Sequence, residues 1–95
     1  MQGILNLQRI SNDGSTIARY QVRYEDLAGN SFVGSMDEQD LHELLYHKLP
    51  IAMADDELDN SYQRLKQNGR LIMQELEFDE NTLAGAGLTF LPAEG

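Results

Sequence analysis

The fold is decided by residues 20–34, which read YQVRYEDLAGNSFVG. Apolar and polar side chains alternate on both sides of a short loop, as they do in antiparallel strands that bury one face. We predict the loop to be Leu27-Ala28-Gly29, with Gly29 in the left-handed conformation that closes a common three-residue hairpin. The pairs that follow are Tyr24 with Phe32, Val22 with Gly34 and Tyr20 with Met36.

A further hairpin is predicted upstream, between Ile4 and Glu25. Asp13-Gly14 is typical of a type I′ turn, because both of its positions need a positive φ. The pairs counted outward from this turn are Ile10 with Ile17, Leu7 with Tyr20 and Leu5 with Val22. The two turns then produce one apolar face that continues onto a third strand at about residues 31–34. On the first two strands this face contains Leu5, Leu7, Ala18, Tyr20, Val22 and Tyr24.

Two helices are predicted after the hairpins. Ser35-Met36-Asp37-Glu38 matches a capping box, which starts a helix from about Met36 to Lys48 that Pro50 ends. A second helix begins at Asp55-Asp56-Glu57 and ends at Asn68-Gly69, with acids near its start as the helix dipole favours. The first helix has an apolar stripe at helical spacing, formed by Leu41, Leu44, Leu45 and Leu49.

The C-terminal third is more ambiguous. Residues 70–79 fit both a helix and a strand, and we favour a strand because Gly69 has just ended a helix. Residues 83–91 either form a tail or add a short edge strand that Pro92 stops. We therefore predict one α+β domain over residues 1–95: a three-stranded antiparallel meander, two helices on one sheet face, and a C-terminal strand at about residues 70–79 that joins an edge.

Catalytic and metal-binding motifs are weak. His42 and His47 are five residues apart, which separates two side chains by about 140° on an α-helix, so they should not share a metal ion. The acidic runs at residues 37–40 and 55–59 lack the spacing of a calcium-binding loop. The chain has no cysteine. The sequence therefore predicts no metal, no cofactor and no enzymatic activity.

Charge is distributed unevenly along the chain. The formal net charge is −9; residues 1–24 carry +2 and residues 25–95 carry −11. Phosphate backbones repel such a chain, so direct nucleic-acid binding is disfavoured. Acidic surface instead steers association with a basic protein. We predict a non-enzymatic protein-binding or regulatory module whose two helix starts lie side by side and present Asp37, Asp40, Asp55, Asp56 and Asp59.

Two alternatives stay open. The domain could bind a small ligand or ion in a pocket between sheet and helices, which a concavity with converging polar groups would indicate. It could also form a homodimer, because the outer sheet face is expected to expose Ile4, Ile10, Ile17 and Val33. No segment is long and apolar enough to cross a membrane, and the N-terminus does not resemble a signal peptide. A cytoplasmic protein is expected.

Overall fold

The computed structural model describes residues 2–10 and 18–92. The strands in this part of the chain are β1 Gln2–Ile10, β2 Arg19–Asp26, β3 Ser31–Asp37, β4 Arg70–Glu77 and β5 Thr89–Leu91. The helices are α1 Glu38–Glu43, which continues as a π-helical segment Leu44–Lys48, then α2 Asp55–Asn68 and α3 Glu80–Gly85. The strands form one antiparallel sheet in the order β4-β1-β2-β3-β5. The α+β class is confirmed.

The β2–β3 hairpin has the predicted register. The pairs are Tyr24 with Phe32, Val22 with Gly34 and Tyr20 with Met36. Gly29 has a φ of 90°, and the Asp26 carboxylate accepts the backbone N–H groups of Ala28 and Asn30. Desolvation raises the pKa of Asp26, but the hydrogen bonds from Asn30, Ala28 and Gly29 together hold it below its usual value. The turn is therefore organised by its own side chain and backbone.

The predicted register of β1 and β2 is wrong by two residues. Leu7 lies opposite Val22 rather than Tyr20, Leu5 lies opposite Tyr24, and Ile10 lies opposite Arg19 rather than Ile17. The Asp13-Gly14 turn itself lies outside the described residues. Side chains alternate with a period of two, so a shift of two residues leaves every one of them on its original face. The alternation therefore cannot distinguish the two registers.

The capping box at Ser35 is wrong. Strand β3 continues to Asp37, because its pairing with β2 extends as far as Arg19. Asp37 is the residue that caps α1, and its carboxylate accepts the backbone N–H of Asp40. The side chain of Ser35 instead accepts a hydrogen bond from Arg19 on the sheet.

A π-helical turn replaces the second half of the predicted helix. Residues 44–48 are π-helical, and the Leu49 N–H donates to the Leu44 carbonyl over 2.9 Å. A π turn holds more residues than an α turn, and such turns are frequent at functional sites. The apolar stripe is buried as predicted, in Leu41, Leu44, Leu45 and Leu49.

Residues 70–77 form the strand that the sequence favoured. Strand β4 pairs with β1 at the sheet edge, and Gln74 and Glu75 together oppose Ile4 in a β-bulge. Glu75 has a φ of 59°, which is uncommon for a residue with a side chain. The bulge reverses the alternation of faces along β4, because one extra residue is inserted there.

The C-terminal segment contains a helix that was not predicted. Asp79 caps α3 by accepting the Thr82 N–H over 2.7 Å, and α3 buries Leu83. The chain then adds β5, the short edge strand, next to β3 and before Pro92. Asp79 carried the missed signal, since aspartate is one of the residues most favoured at a helix N-cap.

The core lies between the sheet and the helices. Helix α1 packs on β2 and β3, and α2 packs on β1 and β4. The sheet side of the core includes Leu5, Leu7, Tyr20, Val22, Tyr24 and Phe32, all buried. We call the opposite side of the sheet the open face. Its outer side chains include Ile4, Asn6, Gln8, Ile10, Arg19, Gln21, Arg23, Val33 and Ile72.

Candidate functional site

The acidic residues at the start of α1 have different environments. Asp37 is partly buried and is occupied as the helix cap. Asp40 is exposed in the first helical turn. Glu38, also in this turn, forms an ion pair with Lys66 of α2, with 3.2 Å between Oε1 and Nζ. Only part of this negative charge is therefore free to meet a partner.

The acidic residues at the start of α2 are more exposed. Asp55, Asp56 and Asp59 are all exposed, and Asp56 accepts the N–H of Glu57 over 3.0 Å. Asp59 accepts a hydrogen bond from the hydroxyl of Tyr46, which lies on the π-helical segment. A carboxylate that accepts one hydrogen bond keeps further lone pairs for another donor.

The two helix starts do not lie side by side, which corrects that expectation. Lys66, near the end of α2, contacts Glu38 at the start of α1. Asp59, in the N-terminal half of α2, contacts Tyr46 in the middle of the π-helical segment that follows α1. The helices therefore run antiparallel. Asp37 and Asp40 lie at one end of the helix pair, and Asp55, Asp56 and Asp59 lie toward the other end.

Three aromatic rings meet between the two helices. His42 stacks on Tyr46 with 4.3 Å between ring centroids, and Tyr62 of α2 approaches both rings edge-on at 5.6 and 5.9 Å. Tyr62 is buried, whereas His42 is exposed and Tyr46 is partly buried. The sequence alone did not predict this cluster. The four-residue spacing of His42 and Tyr46 signals a shared helix face, but nothing local indicates that Tyr62 completes it.

The π-helical turn also changes the position of the two histidines. The rings of His42 and His47 lie 6.5 Å apart, so the separation of about 140° expected for an α-helix is wrong. The wider turn brings residues five apart onto neighbouring positions. Among residues 2–10 and 18–92, no three His, Asp or Glu side chains are grouped so that they could hold a metal ion.

The environment between the helices keeps two phenols protonated. Burial raises the pKa of Tyr46 to about 12, and Asp59, Tyr62 and Asp55 contribute to the shift. Burial also raises the pKa of Tyr62 to about 12, with contributions from Glu38 and Tyr20. Both tyrosines therefore act as neutral hydrogen-bonding groups well above neutral pH.

We expect the raised pKa values of these two phenols to affect the stability of the domain at alkaline pH. An unfolded tyrosine ionises near pH 10, whereas Tyr46 and Tyr62 stay protonated in the fold to about pH 12. The unfolded chain then binds fewer protons, so the free energy of unfolding should fall as the pH rises from about 10 to about 12. Urea unfolding across this range measures it. Tyr46→Phe should reduce the slope, and an equal slope in that variant would contradict the assignment.

A shallow groove crosses the open face. It has a volume of about 530 Å³, and its walls include Ile4, Ile72 and the very exposed Leu27. Its polar lining residues are Asn6, Arg23, Glu25, Asp26 and Gln74. The space between the sheet and the helices is instead filled by buried core side chains. A small ligand bound in this groove would therefore lie on the side of the sheet away from the helices.

Comparison with known proteins returns no relative. No protein-family model, no curated protein and no solved structure matches the chain. None of the helices that the structure describes is long and apolar enough to cross a membrane. A function therefore has to be inferred from the chemistry of the helix pair and of the open face.

Proposed function

We propose that this domain is a non-enzymatic binding module that engages a basic protein segment. The contact surface consists of Asp55, Asp56, Asp59, His42 and Tyr46, which we call the acidic-aromatic surface. The observation that carries the proposal is the hydrogen bond from Tyr46 to Asp59. It joins an accessible aromatic pair to the most acidic end of the helix pair.

Carboxylates and aromatic rings have complementary roles in binding a cation. Exposed charges accelerate encounter with an oppositely charged partner, but each contributes little once the complex has formed. Aromatic rings bury a large contact area and attract lysine or arginine through their faces. A surface that combines both suits a partner segment rich in lysine and arginine.

Lys66 provides an internal example of this recognition. Its ammonium group lies 5.7 Å from the ring centroid of Tyr62 and forms an ion pair with Glu38. An aromatic ring and a carboxylate of the same helix pair therefore already hold one cation together. We expect a lysine of the partner to use Tyr46 and Asp59 in the same manner.

The basic side chains of the open face are less suited to a phosphate backbone. Arg19 donates to the hydroxyl of Ser35, and Arg23 donates to the hydroxyl of Ser31. Arg23 also lies 3.6 Å from the carboxylate of Glu25. These local partners reduce the positive charge that either arginine offers, which favours a basic protein over a nucleic acid as the partner.

The proposal is tested by removing charge at two places. The first variant is Asp55→Asn/Asp56→Asn/Asp59→Asn, and the probe is an immobilised peptide of alternating lysine and arginine. Association should slow by about tenfold, whereas dissociation should change less, because exposed charges act mainly by steering. Added salt should slow the association of the parent protein in the same way as the triple substitution, since salt screens exposed charges.

A matched control separates local from total charge. Glu25→Gln/Glu75→Gln/Glu80→Gln also removes three negative charges, but at exposed positions outside the acidic-aromatic surface. This variant should bind the peptide nearly as fast as the parent. Tyr46→Ala should instead speed dissociation. Equal effects of the two triple variants, or affinity that does not depend on salt, would contradict the proposal and favour the groove on the open face.

A further inference from the structure

The two edges of the sheet differ in how well they are protected from pairing with a further strand. At one edge β5 has only three residues and is followed by Pro92, which cannot donate to a neighbouring strand. At the other edge β4 has eight residues without a proline. Among the described residues, β4 pairs only with β1, so its outer side is available for another strand. The bulge at Gln74 and Glu75 interrupts this edge, and the unpaired backbone groups on both sides of the bulge can pair with a further chain.

Apolar side chains lie along this free edge. Ile72 is 49% exposed, and Leu71 and Leu76 pack against the core while remaining only partly buried. A strand added beside β4 would cover all three. The edge therefore offers both backbone hydrogen-bonding groups and apolar area, the two contributions that strand addition uses.

The positions along β4 are arranged symmetrically about Met73. Met73 lies opposite Leu5 of β1, Arg70 lies opposite Gln8, and Glu77 lies opposite Gln2. Arg70 and Glu77 are thus each three ladder positions from Met73, because the bulge places two residues at one position. Leu71 and Leu76 are each two positions away by the same measure, opposite Leu7 and Gly3.

We propose that two copies of this chain associate by pairing their β4 strands antiparallel, with a two-fold axis at Met73. The axis places Arg70 of one copy opposite Glu77 of the other, twice per dimer. It also places Leu71 opposite Leu76, on the core face of both sheets. Both sets of pairs are complementary, and cross-strand pairs of opposite charge or of apolar side chains stabilise a sheet.

The proposed dimer differs from the one that the open face would form. The open face presents the charged side chains of Arg19, Arg23 and Glu25, so packing two such faces would remove these charges from water at a cost. Edge pairing leaves these arginines in solvent. It also generates a closed, symmetric assembly of one continuous sheet, because the strands described in each copy leave one such long edge unpaired.

Charge reversal tests the register directly. Arg70→Glu makes both members of this cross-strand pair glutamates, and Glu77→Arg makes both of them arginines. Each single variant should raise the dimer dissociation constant at least tenfold in sedimentation equilibrium. The double variant Arg70→Glu/Glu77→Arg should restore dissociation to within about threefold of the parent, because opposite charges then face each other again.

The matched control is Arg64→Glu, which makes the same charge change at an exposed position of α2. It should leave the dissociation constant unchanged. In the parent, amide exchange of β4 should slow as protein concentration rises, while that of β5 should not. A parent that stays monomeric at about 1 mM, single variants that dimerise normally, or a double variant without restoration would each overturn the proposal.

Discussion

Replacing Gly3 with valine is expected to lower the free energy of unfolding by about 3 kcal/mol or more, although valine is a favoured residue in strands. Gly3 is buried in β1, where the ring of Tyr24 crosses over it. A Cβ at this position would overlap the backbone carbonyl oxygen of Glu25 and would lie 2.9 Å from Cζ of Tyr24. Neither a backbone carbonyl nor a buried ring can move aside cheaply.

Chemical denaturation of Gly3→Ala and Gly3→Val measures this effect, and the alanine variant should already be destabilised. Gly85→Ala is the matched control, because no atom outside its chain neighbours and the backbone of its own helix lies within 4 Å of the Cβ it would add. Gly85 is the last residue of α3 and has no positive φ, so alanine should stabilise the domain by up to about 1 kcal/mol. A Gly3→Val protein as stable as the parent would contradict the crossing of Tyr24 over Gly3.

Removing the ring of Tyr24 is the other change expected to have a large effect. Tyr24 is fully buried, and its ring lies 5.2 Å from that of Phe78. Its hydroxyl donates to the backbone carbonyl of Leu76 over 2.8 Å, so this side chain of β2 reaches across β1 to β4. Tyr24→Ala should cost about 3–5 kcal/mol, the range for deleting a large buried aromatic side chain.

Tyr24→Phe separates the hydroxyl from the ring. It keeps the packing but leaves the Leu76 carbonyl without this donor, so the expected loss is about 1–2 kcal/mol. Urea unfolding of both variants gives the two free energies. If phenylalanine were as destabilising as alanine, the hydroxyl would be the main contribution of Tyr24, and packing of its ring in the core would be contradicted.

The candidate surface was predictable in composition but not in arrangement. Asp55, Asp56 and Asp59 were predicted as exposed acids at a helix start, and they are exposed near the start of α2. Their connection to Tyr46 could not be predicted, because it depends on how α2 packs against the π-helical segment. Whether these acids recruit a partner stays a prediction for the binding experiments.

The sequence by itself determined the features that arise within a few neighbouring residues. Hydrogen bonds between neighbouring residues form the turn at Gly29. The register of β2 and β3 then follows from this turn by counting residues outward. The alternation of apolar residues likewise determined which side of β1, β2 and β3 is buried. These signals can be interpreted without the rest of the fold, because they depend only on backbone geometry and on the two-residue period of a strand.

Only the tertiary structure decided the features that depend on packing between distant segments. The observed β1–β2 register differs from the predicted one by two residues, and both registers place every side chain on the same face. No local pattern could therefore select between them. Contacts between distant elements decide the π turn, the antiparallel helix pair and the symmetric arrangement along β4. Those contacts form when the elements are buried together in one core. A periodic sequence specifies faces, whereas the β1–β2 register, the helix neighbours and the sheet edges are decided only when those faces are packed together.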